Sequence, residues 1–499
     1  MRSYIDRLTV VHKPFFRYIT HVIYVKHADK CNKYTFFDLR KGISMTELLI
    51  GLVITIAVGY YIVKGYKAAG VLLVAGILLL ILAGFLGHTV LPKAVTSTGN
   101  LLTDSLEYVK YMLQYRNGGL GLQIMLLCGF ATYMTHIGAN NVVVKQFSKP
   151  LSFIKSPYVL LVAAYIVACL MSLAVSSATG LGVLLMATLF PMMTAMGISR
   201  PAAAAVCASP AAIILSPTSG DVIVAAEKSG LPLHVFAVET VLPVSICAII
   251  VMSVAAFFWN KYLDKKNNTP MEKLDISEIE VKAPAYYAIL PFLPIVGVFL
   301  FNGETIPGLK LDIYTIVVLS IAIGAVVDFL TSRFNGKETL ENLEACYAGM
   351  GDAFKGVVML LVAAGVFAQG LMSIGAIDNL LALADKAGAG GVALMLLLTA
   401  LTVAAAIATG SGNAPFYVFV ELAPQLAIKL GLSPAFLIIP MLQASNLGRT
   451  ISPVSVVIVA TSGMAHISPF EVVKRTVVPV ICGLVTVIIG TMILVPMYA

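Results

Sequence analysis

Ser445-Asn446-Leu447-Gly448-Arg449-Thr450-Ile451-Ser452-Pro453-Val454-Ser455 is a polar stretch inside a region that is otherwise apolar. Pro453 lacks a donor and Gly448 loosens the backbone, so the stretch predicts a helix broken at this point. In a membrane, freed backbone groups are tolerated only where protein or a water-filled cavity satisfies them. Arg449 at such a depth needs an anionic partner, and a solute carboxylate suits its guanidinium. A solute site at a broken helix is the expectation from which the rest is read.

The surrounding composition gives the class. Of 499 residues, 59% are hydrophobic and 12% charged, with a mean hydropathy of +0.93. About ten apolar runs long enough to span a bilayer recur between residues 46 and 497, each near the ~20 residues that a spanning helix needs. An all-α polytopic membrane protein is expected. The seven cysteines have no paired spacing, and five of them (Cys128, Cys169, Cys207, Cys247, Cys482) sit in apolar runs, so packing is their expected role. The sequence offers no nucleotide-binding loop, metal-ligand cluster or haem-ligating pair. No cofactor, nucleic-acid partner or enzymatic activity is expected, and transport would run on solute or ion gradients.

Charge is uneven along the chain. Residues 1–44 carry nine Lys or Arg against Asp6, Asp29 and Asp38, a balance of +6, which leaves +2 for the other 455 residues. This stretch has no apolar core of signal-peptide type and precedes Met45-Thr-Glu-Leu-Leu-Ile, which looks like a start. It is expected to lie outside the fold, with a basic arm on anionic lipid as the functional alternative.

From Met45 onward the expected spans are 46–64, 68–91 and 121–140, with a polar interval before residue 121. Lys145, Lys149 and Lys155 then mark a cytoplasmic loop. Residues 157–196 read as a re-entrant hairpin with a polar tip at Ser176-Ser177-Ala-Thr179-Gly180, and 201–229 is broken at Ser216-Pro217-Thr218-Ser219-Gly220-Asp221. A span over 236–260 and a cytoplasmic linker over 261–284 follow. The second half repeats the order. Spans at 285–301, 312–330 and 354–376 lead to a hairpin over 390–430 with its tip at Thr409-Gly-Ser411-Gly-Asn413. A helix over 434–465 is interrupted at the opening stretch, and the last span is 474–497.

Sequence matches connect the halves. His136-Ile-Gly-Ala pairs with Ser373-Ile-Gly-Ala, Thr179-Gly180 with Thr409-Gly410, Ser216-Pro217 with Ser452-Pro453, and Thr240-Val-Leu-Pro-Val with Thr476-Val-Val-Pro-Val. The expected domains are the extension 1–44, a first repeat 45–260, the linker 261–284 and a second repeat 285–499. Each repeat would hold five transmembrane spans and one re-entrant hairpin, and the odd count makes the repeats inverted. The first hairpin would open from the cytoplasm and the second from outside. Residues before 46 would then lie outside the cytoplasm, where a +6 leader is disfavoured, which favours Met45 as the start.

Inverted repeats whose discontinuous helices meet in the membrane are the mark of a secondary transporter. Four polar clusters supply candidate substrate-binding residues: Ser176, Ser177, Thr179 and Gly180; Ser216, Thr218, Ser219 and Gly220; Thr409, Ser411 and Asn413; and Ser445, Asn446, Arg449, Thr450 and Ser452. Half-helix N-termini attract carboxylate oxygens, and small polar side chains add directional hydrogen bonds. Arg449 reads either as a clamp on a carboxylate or as half of a structural ion pair with Asp221. Asp221 reads as a proton carrier, a cation ligand or that same ion-pair partner. His136 reads as an interfacial residue rather than a proton relay.

The segments 175–191, 208–221, 409–417 and 441–455 together resemble the DcuC family of anaerobic four-carbon dicarboxylate carriers, over about Met45 to the C-terminus. The resemblance implies a multi-pass carrier of the bacterial inner membrane for succinate, fumarate and malate, used in succinate efflux and coupled to protons, or to sodium, or run by exchange. It also implies a homodimer with scaffold and transport parts that move as an elevator. Carriage of another organic anion or an amino acid, and an anion channel, are the competing readings.

Overall fold

The computed structural model describes residues 45–92, 95–267, 283–303, 305–379 and 390–498. The 1–44 extension, most of the expected linker and Glu304 lie outside the described residues. Among those described, regular structure is helical, apart from two isolated bridges, Asn302 with Lys310 and Leu432 with Tyr498.

Eight helices are long and apolar enough to cross a membrane among the described residues. In chain order the elements are α1 (Met45–Val63), α2 (Ala68–Phe85), α3 (Leu101–His136), α4 (Ala139–Ser148), α5 (Pro157–Met171), α6 (Ala178–Ala195), α7 (Arg200–Ala208), α8 (Gly220–Ser229), α9 (Leu233–Asn267) and α10 (Ala285–Leu300). There follow α11 (Ile313–Thr331), α12 (Gly336–Ser373), α13 (Gly391–Thr409), α14 (Asn413–Val420), α15 (Ala423–Lys429), α16 (Pro434–Thr450), α17 (Val456–Met464) and α18 (Pro469–Leu494).

Several helices overrun the expected spans, for one physical reason. The interval before residue 121, expected as a polar connection, is the first half of α3. Asn100 caps it by accepting from the Leu102 N–H at 3.0 Å. Asp104, Glu107 and Lys110 stand outside the stripe of Ser105, Tyr108, Met112 and Arg116, which is buried and has helical spacing. In the same way α12 begins at Gly336, well before the expected start at 354, so Lys337 is helical. Likewise α18 begins at Pro469, which places Lys474 and Arg475 inside it. Finally α9 runs into the expected linker, because Asp264 is buried against Arg475, Oδ1 to Nη2 at 2.7 Å, with Ser199 and Tyr158 donating at 2.6 and 3.0 Å.

The order of elements recurs. α3 and α12 each carry one wide turn, Asn117–Gly121 and Phe354–Val358, and each ends in Ile-Gly-Ala with the glycine at positive φ, +78° at Gly138 and +77° at Gly375. Only glycine adopts that conformation without strain. The pair α5–α6, then α7, a break and α8, then α9, has its counterpart in α13–α14, then α16, a break and α17, then α18.

The main helix contacts are the following. The second half of α12 lies on α2, and its first half lies on the second half of α3. α9 packs on α18, α13 on α16, and α6 on α7. The α13–α16 contact explains Gly448, whose role is not loosening. A Cβ there would lie 2.8 Å from Ala406 Cβ and 2.9 Å from the Val403 carbonyl oxygen, so the glycine lets two helices touch. Gly448→Ala is expected to destabilise the protein by about 1–3 kcal/mol through overpacking, measured as a lowered unfolding midpoint in detergent. An unchanged midpoint contradicts this close contact.

Candidate functional site

Both discontinuous helices are interrupted, over different lengths. α7 ends at Ala208, a single turn covers Pro210–Ala212, and α8 starts at Gly220. α16 runs unbroken to Thr450, so the second break is only residues 451–455. Ser445, Asn446, Arg449 and Thr450, expected within the break, therefore lie on the helix before it, and Ser452 lies in the break itself. The helical ladder survives there because Gly448 packs rather than bends, and the Thr450 hydroxyl is absorbed by the Asn446 carbonyl at 2.9 Å.

One face of α16 grips the first break. Gln443, Asn446 and Arg449 recur every three residues and so share a face. Gln443 accepts from the Ile214 N–H at 2.8 Å and donates to the Ile214 carbonyl at 3.0 Å. Asn446 donates to Asp221 Oδ2 at 3.2 Å, and Arg449 Nη2 donates to the Ala211 carbonyl at 2.9 Å.

Each break also meets the hairpin of its own half. Ser216 donates to the Leu173 carbonyl at 3.4 Å and lies 2.9 Å from the Thr218 hydroxyl, while Ser452 donates to the Ile407 carbonyl at 2.6 Å. Both serines are buried. The second hairpin tip presses closest. Ser445 donates to the Gly412 carbonyl. A Cβ on Gly412 would come 2.5 Å from Asn446 Oδ1 and 3.0 Å from Arg449 Nη1, and one on Gly410 would meet Val454 and Ser455 backbone at 2.9 Å. Ser411 accepts from the Ala414 N–H at 3.2 Å, the Thr409 hydroxyl turns back on Ala405, and Asn413 reaches the Tyr417 hydroxyl at 3.4 Å.

The first hairpin tip behaves differently. Ser176 and Ser177 are exposed, with Thr179 and Gly180 half-buried on the first turn of α6. Ser177 caps that helix by accepting from the Gly180 N–H at 3.1 Å. The structure thus brings together the second hairpin and both breaks, and leaves the polar end of the first hairpin at the surface.

The serines just before the post-break helices, Ser219 before α8 and Ser455 before α17, make no side-chain cap. Each helix therefore turns its uncapped N–H groups and its positive end into a break. Arg449 Nε, Asp221 Oδ1, Asn446 Oδ1 and Ser455 Oγ are buried there without a hydrogen-bond partner among the described residues. Asp221 and Arg449 form no ion pair among the described residues; Asn446 holds one carboxylate oxygen of the first and the Ala211 carbonyl holds Nη2 of the second.

A buried ionic network was not foreseen from sequence. Arg116 Nη2 contacts both Glu421 carboxylate oxygens at 2.6 and 2.7 Å, its Nη1 reaches Glu227 at 3.3 Å, and Lys228 pairs with Glu421 at 2.6 Å. The network joins α3 to the second hairpin and to the end of α8. Partners 305 residues apart leave no local pattern to read. Gln443 and Tyr417 were also passed over, although both lie beside polar motifs in the sequence. His136 is exposed at the end of α3.

Comparison with known proteins adds the following. Residues 46–496 match a family model described as DcuC, C4-dicarboxylate anaerobic carrier. The chain is 84% identical over 457 residues to a Vibrio cholerae protein named probable anaerobic C4-dicarboxylate transporter DcuC, covering 92% of this chain and 100% of that one. It is 61% identical over 454 residues to the Escherichia coli K12 anaerobic C4-dicarboxylate transporter DcuC, covering 91% and 98%. In fold it is similar to the YdaH transporter of Alcanivorax borkumensis (TM-score 0.54, 16% identity, covering 91% and 100%). It is also similar to MtrF of Neisseria gonorrhoeae (TM-score 0.52, 13% identity, covering 85% and 94%).

Proposed function

The chain belongs to the DcuC family of anaerobic C4-dicarboxylate carriers, and from that premise we propose that it carries succinate, fumarate and malate through a site between its two helix breaks. One observation carries the location: both post-break helices open uncapped into a cluster that also holds Arg449 and unpartnered buried polar atoms. A four-carbon dicarboxylate has two anionic ends, and the two helix N-termini give each end a receptor. Arg449 adds a planar fork for one of them. Ser216, Thr218, Ser219 and Gly220 serve one end; Thr409, Ser411, Asn413, Ser445, Asn446, Thr450 and Ser452 line the other. Ser176, Ser177, Thr179 and Gly180 complete the path from the surface.

The protein is a multi-pass membrane transporter, and the bacterial inner membrane is the proposed location. The recurring element order and the lysine pattern support two inverted repeats, 45–260 and 285–499, around a cytoplasmic linker. The packing of α12 on α2 and α3 suits a scaffold formed with these helices, with a mobile part that carries the hairpins and breaks and moves as an elevator within a homodimer. A fixed site in a moving body makes this a carrier, with solute exchange as its simplest mode.

Asp221 is the proposed coupling residue, by protons rather than sodium. It is 3% exposed, with one carboxylate oxygen held by Asn446 and the other without a partner. Its hydrogen-bond partner Asn446 is neutral and it forms no ion pair among the described residues, so gaining or losing a proton would change the charge of the site, as a proton carrier requires. Asp221→Asn is expected to abolish succinate uptake driven by an imposed pH gradient in proteoliposomes, while succinate–fumarate counterflow continues. Uptake by that variant that still follows the pH gradient contradicts the assignment, as does wild-type uptake that follows only a sodium gradient.

A further inference from the structure

We infer that Gln443 is the residue that positions the first break for the second carboxylate of the substrate. This inference rests on the dicarboxylate site proposed above. The first break leaves peptide groups without helical partners at membrane depth, where each unmet group is costly. At Ile214 both are met by one side chain. The Gln443 amide accepts from the N–H at 2.8 Å and donates to the C=O at 3.0 Å, as a neighbouring strand would. Gln443 is fully buried and also contacts the Ser245 hydroxyl of α9 at 3.1 Å. Ser245 in turn donates to the Ile214 carbonyl at 3.4 Å. The peptide planes on both sides of Ile214 are thereby fixed five residues before Ser219, where α8 points its N-terminus into the site.

The second break has no side chain that meets both the N–H and the C=O of one of its residues, among the described residues; the Thr476 hydroxyl of α18 donates to the Thr450 carbonyl just before it at 3.0 Å. The backbone of this break closes on itself, with Ile451, Ser452 and Ser455 N–H groups donating to Gly448, Arg449 and Ser452 carbonyls at 3.1–3.2 Å. The sequence repeat shows the same asymmetry. Ser452 lies 236 residues after Ser216, and the same step back from Gln443, Asn446 and Arg449 reaches Cys207, Pro210 and Ile213. None of these three can grip a distant backbone with a polar side chain. The gripping face therefore exists in one half only, and it holds the long break to the helix that carries the carboxylate-binding arginine.

A residue that only filled space would affect all ligands alike. One that aims α8 at the second carboxylate affects dicarboxylates selectively. The test is succinate counterflow in proteoliposomes with Gln443→Met, which keeps the volume and loses all three hydrogen bonds, and with butyrate as a competitor that lacks the second carboxylate. The KM for succinate should rise about tenfold, with kcat nearly unchanged and butyrate inhibition as in the wild type. Equal weakening of succinate and butyrate, or an unchanged succinate KM, overturns the assignment. If Gln443→Met does not fold, Ser245→Ala should shift the succinate KM in the same direction by a smaller factor, and no shift there overturns it as well. Wild-type protein without succinate counterflow overturns the carrier reading instead.

Discussion

Arg449→Lys is expected to weaken succinate binding about a hundredfold while the protein still folds. Lysine keeps the charge and loses the planar fork, so the variant isolates bidentate recognition from simple attraction. Arg449 is half-buried at the end of a helix whose neighbouring residues are fully buried. Only its Nη2 is committed, to the Ala211 carbonyl, while Nε is buried without a partner. A lysine ammonium can replace the single bond to Ala211, which is why folding should survive. Equilibrium binding of labelled succinate to purified protein checks this. Affinity within a factor of two of the wild type means that Arg449 is a structural residue holding the Pro210–Ala212 turn and nothing more.

Glu421→Gln is expected to cost about 3 kcal/mol of stability, because removing one partner of a buried ion pair strands the other. Arg116 is 2% exposed and Glu421 7% by side chain, and Lys228 depends on the same carboxylate. Glu227 remains as a weaker partner for Arg116 at 3.3 Å, which keeps the loss from being larger. Converting the buried members together, Arg116→Met with Lys228→Met and Glu421→Leu, should recover most of the loss, since the charge left over, Glu227, is 37% exposed by side chain and can be met by water. Unfolding midpoints in detergent for the single and triple variants give the comparison. A single variant as stable as the wild type contradicts a desolvated network.

The sequence made some of this legible and hid the rest, for identifiable reasons. Ser-Pro and Thr-Gly punctuation located both breaks and the second hairpin tip, because proline and glycine act on the local backbone. The matches between halves gave the order of elements. The amphipathic first halves of α3 and α12 were hidden because their charges look like loop, and only the buried stripe beneath shows the helix. Gly448 was read as a loosening residue, whereas Ala406 and Val403 on another helix decide its role. Ser177, read as a candidate ligand, also caps α6, a role that the sequence reading did not give it. Gln443 lies within a motif read for its serines and arginine, and its partner Ile214 is 229 residues away. The Arg116 network likewise joins residues that no spacing rule connects.

The most direct test of the site is an experimental structure of the protein with succinate bound. Ligand between the two breaks is predicted, one carboxylate in the Arg449 fork and the other at the N-terminus of α8, beside the second hairpin tip. Succinate bound at any place where it touches neither Arg449 nor Ser219-Gly220 would contradict the account.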